Sequence, residues 1–153
     1  LNYAKVSPQS YRTMKAFSDF TKTTGLDKKL LELVKIRASQ LNACAFCLDM
    51  HTKDARAMGE NEERIFMLDA WRESGLYSDK ERVALAWTEA LTLLPKTHAP
   101  EADYRAVRDL FSEEETVHLT HGIVVINAWN RFMVAFRAPA GLYQPPVQDP
   151  KGT

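Results

Sequence analysis

The chain has 153 residues, the size of one ordinary domain with room for a full hydrophobic core. Its 20 basic and 20 acidic side chains cancel, which excludes a polyanion such as nucleic acid as the main partner. No apolar run approaches the ~18 residues of a membrane span, and Leu1-Asn-Tyr-Ala-Lys5 has no apolar signal-peptide core, so cytoplasmic residence is expected.

Ser7-Pro8 reads as an N-cap followed by proline at the first helical position. Tyr11, Met14, Phe17 and Phe20 then recur at helical spacing, and Gly25 suits the left-handed position past the end. Asp27 caps the next helix, whose stripe is Leu30, Leu33, Val34 and Leu41, widened by Leu31, Ile36 and Ala38. Glu32 sits inside this otherwise apolar helix, with Lys35 and Arg37 as neighbours. Asn42-Ala43 marks a break, because asparagine suits helix ends better than interiors. A third helix is expected from about Cys44 to Met58, stopped by Gly59, and a fourth from Asn61 through Trp71. Ser78 with Glu81 forms a capping box for a helix that stops at Pro95, and Lys96 to Pro100 reads as a loop. Tyr104, Val107, Leu110 and Phe111 mark a short helix. Ser112 with Glu115 opens a long one to about Phe136, apolar nearly all round in its middle, which marks a central or interfacial helix. The prolines and Gly141 after it give an irregular tail over 138–153. No segment reads as a convincing strand. The expected fold is all-α, about seven helices in a single domain over 1–153.

Both cysteines lie in Cys44-Ala-Phe-Cys47, with His51 one turn further on. At about 100° per residue, positions 44, 47 and 51 fall within roughly 60° of arc, so two thiols and an imidazole share one helical face. A helix start would favour thiolates there, through free N–H groups and the positive dipole end. In such pairs the N-terminal cysteine is usually the more exposed. His51 is placed to exchange a proton with Cys47. The plainer reading is a pair of buried, inert cysteines and a core histidine. Two cysteines three apart make no structural framework, so redox chemistry and metal binding are the two readings open. A metal would use Cys44, Cys47 and His51, with Glu32 as a fourth ligand. Glu32 has its own plain reading, a solvated pair with Lys35 at i+3.

The spacing Glu32-x11-Cys44-x2-Cys47-x3-His51 resembles the core motif of the AhpD-like alkylhydroperoxidases of the carboxymuconolactone decarboxylase superfamily. The stretches Leu33 to Asn42 and Asp49 to Ala55 resemble it as well, as does Ile126-Asn-Ala-Trp-Asn-Arg131 in the single-repeat members, so the likeness runs over most of 30–137 with its core at 30–70. It implies an all-helical AhpD-like bundle and a peroxide-reducing dithiol, with no metal and no cofactor. By that resemblance Cys47 attacks the peroxide, Cys44 resolves the sulfenic acid as a Cys44–Cys47 disulfide, and Glu32 and His51 relay protons. An external dithiol, lipoyl-bearing or thioredoxin-type, then reopens the disulfide. The alternative within the same chemistry is a general dithiol–disulfide oxidoreductase. The muconolactone decarboxylases of the superfamily do not use a cysteine pair, which argues against that branch. A non-enzymatic scaffold is the remaining alternative.

Phe46 departs from members that carry a histidine before the second cysteine. Its apolar ring suits an organic hydroperoxide over hydrogen peroxide. His118 and His121 read as surface or interface residues, since no further ligand is spaced to complete a metal set; His98 reads as exposed. Asn127, Asn130 and Arg131 form a polar cluster at i, i+3, i+4, with Trp129 on another side of the helix. They read either as a helix end bonded within its own domain or as a subunit interface. The resemblance implies a homo-oligomer built from dimers, commonly a hexamer.

Overall fold

The computed structural model of the protein describes residues 1–146. Its architecture follows from one helix, Lys28–Leu41, that carries buried side chains on every side. Leu30, Leu31 and Val34 enter one apolar cluster with Trp87, Val107, Leu119 and Ile123. Leu33 and Ile36 enter a second with Ile65, Leu68, Trp71 and Leu85. Ala38 enters a third, which holds both cysteines together with Ile126 and Met133.

In chain order the helices are α1 (Tyr3–Val6), α2 (Pro8–Asp19), α3 (Lys28–Leu41), α4 (Ala45–Ala57), α5 (Glu62–Phe66), α6 (Asp79–Thr92), α7 (Leu94–Thr97), α8 (Glu101–Leu110) and α9 (Glu113–Ala135). Short 3-10 turns follow α2 (Phe20–Thr23) and α5 (Met67–Ala70). α3 packs on α4, α6 and α9. The all-α expectation holds, and the described residues contain no strand. Among the described residues there are nine helices rather than about seven, the two additions being α1 and α7, and the fourth expected helix is cut short. α1 is held by tertiary stacking of Tyr3 on Phe132 and Phe136 rather than by its own periodicity. The helix expected over Asn61–Trp71 tightens to 3-10 at Met67, where Arg37 of α3 reaches across to Asp69. Pro95 does stop the preceding helix, but it also starts α7, so Lys96 and Thr97 are helical rather than loop.

α3 is thus central, and α9 packs along it and against α2, α4, α6 and α8. One side of α9 stays open, with Val117 and Val124 both exposed a heptad apart. Its other side approaches α3 closely: a Cβ on Gly122 would lie 3.3 Å from Leu31 Cδ2. Both expected capping boxes are present, Ser78 with Glu81 and Ser112 with Glu115. No helix among the described residues is long and apolar enough to cross a membrane. The tail is irregular from 138 to 146, and the remainder of the expected tail, 147–153, lies outside the described residues.

Candidate active site around Cys44 and Cys47

The turn between α3 and α4 presents the cysteines. Ala43 N–H bonds to Gln40 O (3.1 Å) and Cys44 N–H to Ser39 O (3.0 Å), the paired closure of a Schellman motif. The left-handed position of that motif usually takes glycine, as Gly59 does at the end of α4 (φ 77°). Here it is Ala43, at φ 50°. Asn42 is held on the other side: its Nδ2 donates to Asn127 Oδ1 (3.0 Å) and Asn130 Oδ1 (2.8 Å), while Asn130 Nδ2 donates to Ser39 Oγ (3.0 Å). The Asn127–Asn130 cluster thus works inside the subunit, fixing the turn, while Arg131 is exposed and bonds back to Asn127.

Cys44 is the N-cap of α4, and its sulfur accepts the Cys47 N–H at 3.3 Å. The two sulfurs are joined as a disulfide across this first turn. Both residues are 1% exposed, so the expectation of a more accessible Cys44 fails. It fails because the cap position turns the Cys44 side chain into the α3–α9 cluster. Cys47, at the third helical position, is the one that lines a cavity.

Glu32 and His51 come together as the spacing required. His51 Nδ1–H donates to Glu32 Oε2 at 2.8 Å, and Lys35 Nζ donates to Oε1 at 2.7 Å. Glu32 thus meets Lys35 through one oxygen and His51 through the other, and at 5% exposure its contact with Lys35 is buried rather than the solvated pair expected. Burial by itself would push the Glu32 carboxyl up, but the hydrogen bond and charge of His51 and those of Lys35 outweigh it and hold the group below its ordinary value. His51 is buried yet lines the same cavity as Cys47, and with Nδ1 engaged its Nε2 is left for proton exchange. The arrangement is a carboxylate backing an imidazole that shares a cavity with the Cys47 sulfur; once the disulfide is reduced, this is the layout of a general acid–base pair serving a nucleophile.

The cavity encloses about 330 Å³. Tyr3, Tyr11, Phe46, Met50, Trp129 and Met133 give it an aromatic and thioether wall, and exposed Lys15 and Lys22 and half-buried Asp19 lie at its edge. A larger depression of about 520 Å³, beside Lys53, Arg56 and Glu60, contains neither cysteine nor His51 and is an open surface feature. The wall from Tyr3, Tyr11 and Trp129 was not singled out from the sequence. Tyr11 reads there as an ordinary apolar helix position and Trp129 as part of a helix end or subunit interface; their edge contact at 6.2 Å between ring centres depends on α2 meeting α9.

The carboxymuconolactone decarboxylase family model matches residues 8–90, more than half of the chain. The chain belongs to that family. Within it, the protein is similar over 135 residues and at 43% identity to the uncharacterized protein YdfG of Bacillus subtilis, covering 88% of this chain and 92% of YdfG. It superposes on ATU0492 of Agrobacterium tumefaciens, a protein of unknown function for which an AhpD antioxidant-defence role has been suggested. There the TM-score is 0.90 at 40% identity, over 94% of this chain and 98% of that one. An AhpD-core, peroxidase-related protein from Ralstonia eutropha JMP134 shares the fold with a TM-score of 0.75 at 19% identity, over 86% and 70% of the two chains.

The other histidines lie apart from this AhpD-like site. His118 Nδ1 donates to Thr24 O (3.1 Å) and His121 Nε2 to Phe17 O (2.9 Å), so both fasten α9 to the end of α2 and the turn after it. His98 is exposed. The alternative metal set of Cys44, Cys47 and His51 is not among the donor groups that come together. Among the described residues, the donor atoms lying within 4.8 Å of one another belong to Glu32, His51 and Asp54. Lys35 already occupies one Glu32 oxygen and Tyr143 donates to Asp54, so that group is bonded for protons rather than for a cation.

Proposed function

We propose that the protein is a thiol-dependent peroxidase that reduces organic hydroperoxides. The observation that carries the reading is that Cys47, rather than Cys44, opens on the cavity shared with His51, and that His51 is backed by Glu32. In the reduced protein, the Cys47 thiolate attacks the outer oxygen of the peroxide. The O–O bond breaks, His51 returns a proton to the departing alkoxide, and an alcohol leaves. Cys47 is then a sulfenic acid. Cys44 attacks its sulfur, water leaves, and the Cys44–Cys47 disulfide forms. Two electrons and two protons from an external dithiol restore the thiols. The aromatic wall and Phe46 favour a peroxide with an apolar body. The burial of both sulfurs favours a slender dithiol arm of lipoyl type over a folded thioredoxin-type partner.

The test is a single-turnover reaction of reduced protein with one equivalent of cumene hydroperoxide, followed by mass spectrometry. The parent should lose two hydrogens at Cys44 and Cys47. Cys44→Ser should stop at a sulfenic acid on Cys47 that dimedone captures, and Cys47→Ser should consume no peroxide. Undiminished turnover by Cys47→Ser would sink the assignment.

A further inference from the structure

The segment after α9 returns along the outer side of α4. Gly141 N–H donates to Asp49 Oδ2 (2.9 Å), and Lys53 Nζ donates to the Tyr143 carbonyl (2.8 Å). The Tyr143 hydroxyl donates to Asp54 Oδ1 (2.7 Å). Lys53 is itself paired with Asp49 at 2.7 Å, so the three contacts form one clamp. Each joins residues about ninety apart in sequence, and none is needed to build α4.

Asp54 follows His51 by three residues and so lies on the same helical face. A carboxylate oxygen of Asp54, a nitrogen of His51 and a carboxylate oxygen of Glu32 lie within 4.8 Å of one another. Two carboxylates therefore flank one imidazole, in a partly buried site where like charges repel strongly. Glu32 is balanced by Lys35 and His51; the hydrogen bond to Asp54 comes from Tyr143.

We propose that Asp54 and Tyr143 are positioning residues of the Glu32–His51 relay: the C-terminal strap's phenol holds the Asp54 carboxylate against it, and that charge sets the pH range in which the relay keeps its proton. The inference rests on the reading of Glu32 and His51 as a proton relay. Burial, the hydrogen bond to Asp54 and the charges of Asp54 and Glu32 all push the Tyr143 phenol far above its ordinary value, so it remains a donor throughout the working range. The other charged and titratable groups facing the site are few. α3 supplies Glu32 and Lys35, and α4 supplies Cys47 with the Asp49–Lys53 pair on its outer side. From α2 and the turn after it come Lys15, Lys22 and Asp19, already paired among themselves, together with Tyr11; α1 supplies Tyr3. α9 adds to the cavity only the uncharged Val125, Ile126, Trp129 and Met133.

The experiment measures the rate of Cys47 oxidation by cumene hydroperoxide from pH 5.5 to 9 in the parent, Asp54→Asn, Tyr143→Phe, the double variant and Glu32→Gln. Removing a negative charge within 5 Å should move the alkaline limb of the Asp54→Asn profile to lower pH by about one unit. Tyr143→Phe should slow the reaction threefold or more, and the double variant should match Asp54→Asn alone, since the phenol acts through that carboxylate. Tyr143→Phe removes one oxygen from a surface strap, so it reports even where Asp54→Asn fails to fold. Profiles for Tyr143→Phe and Asp54→Asn that superimpose on the parent, while Glu32→Gln loses its rate, would overturn the inference and leave the relay standing. A Glu32→Gln profile equal to the parent would instead remove the relay on which it rests.

Discussion

Replacing Glu32 with glutamine isolates charge from shape. The side chain is 5% exposed and has both oxygens engaged, one by His51 at 2.8 Å and one by Lys35 at 2.7 Å. Glutamine keeps the volume but offers one acceptor and an NH₂ group, so either His51 or Lys35 loses its partner. A hydrogen bond to a charged group is worth about 1.5–3 kcal/mol. Against this, the buried carboxylate no longer has to be desolvated, a relief of several kcal/mol per ion before its pairing is lost. The two nearly offset, and stability should change by no more than about 2 kcal/mol in either direction, readable in urea melts. Activity has no such offset. Without the carboxylate, His51 is neither oriented nor supported as it gains and gives up a proton, and general acid–base assistance is worth about 10²–10⁴ in rate. Stopped-flow oxidation of the reduced protein by cumene hydroperoxide at pH 7 should therefore be slower by about 10² or more. A folded Glu32→Gln protein reacting within threefold of the parent would refute this reasoning.

Three further outcomes are expected. Asn130→Ala should cost about 2–4 kcal/mol in urea denaturation, because it empties a buried site and takes one hydrogen bond each from Asn42 and Ser39, and it should slow disulfide closure by loosening the turn before Cys44. Phe46→Ala should raise KM for cumene hydroperoxide about tenfold and leave the rate with hydrogen peroxide within twofold, since only the bulky substrate uses the ring wall. Glu32 and Glu89 both titrate below their ordinary value of 4.5: each is opposed by burial, but Glu32 is held down by His51 and Lys35, and Glu89 by Trp71, Arg72 and Arg37. Groups lowered in the folded state stabilise it fully above their unfolded value and lose that contribution as pH falls through the folded one. Urea midpoints should thus be level just above pH 5 and fall steeply below about pH 4.5, with a shallower fall in Glu89→Gln.

What the sequence discloses is governed by the range of the forces involved. Asp27, Ser78 and Ser112 act within one turn of themselves, so their caps are legible, and each makes the expected bond. Cys44, Cys47 and His51 are legible because one helical face carries all three, whereas Glu32, on the helix before, is legible only through the family resemblance. Arg37 reads as an ordinary neighbour on α3, yet it bridges to Glu89 and to Asp69 in the 3-10 turn after α5, far along the chain. Tyr143 lies in a proline-rich stretch with no periodicity, and only the folded α4 gives it a partner in Asp54. α1 is four residues long, too short to show a period, and its position is set by the rings of Phe132 and Phe136. The same holds for the cavity wall, which forms where α1, α2, α4 and α9 meet.

Both sulfurs lie inside the protein, and Cys47 is the one that reaches the cavity. Under the proposed peroxidase chemistry, the oxidant and the reducing thiol would reach Cys47 through this one cavity, in turn. Such a protein alternates between two covalent forms with no ternary complex. Plots of reciprocal rate against reciprocal peroxide, taken at several dithiol concentrations, should be parallel lines. At high concentration each reactant should slow the other by occupying the passage of the form it cannot react with.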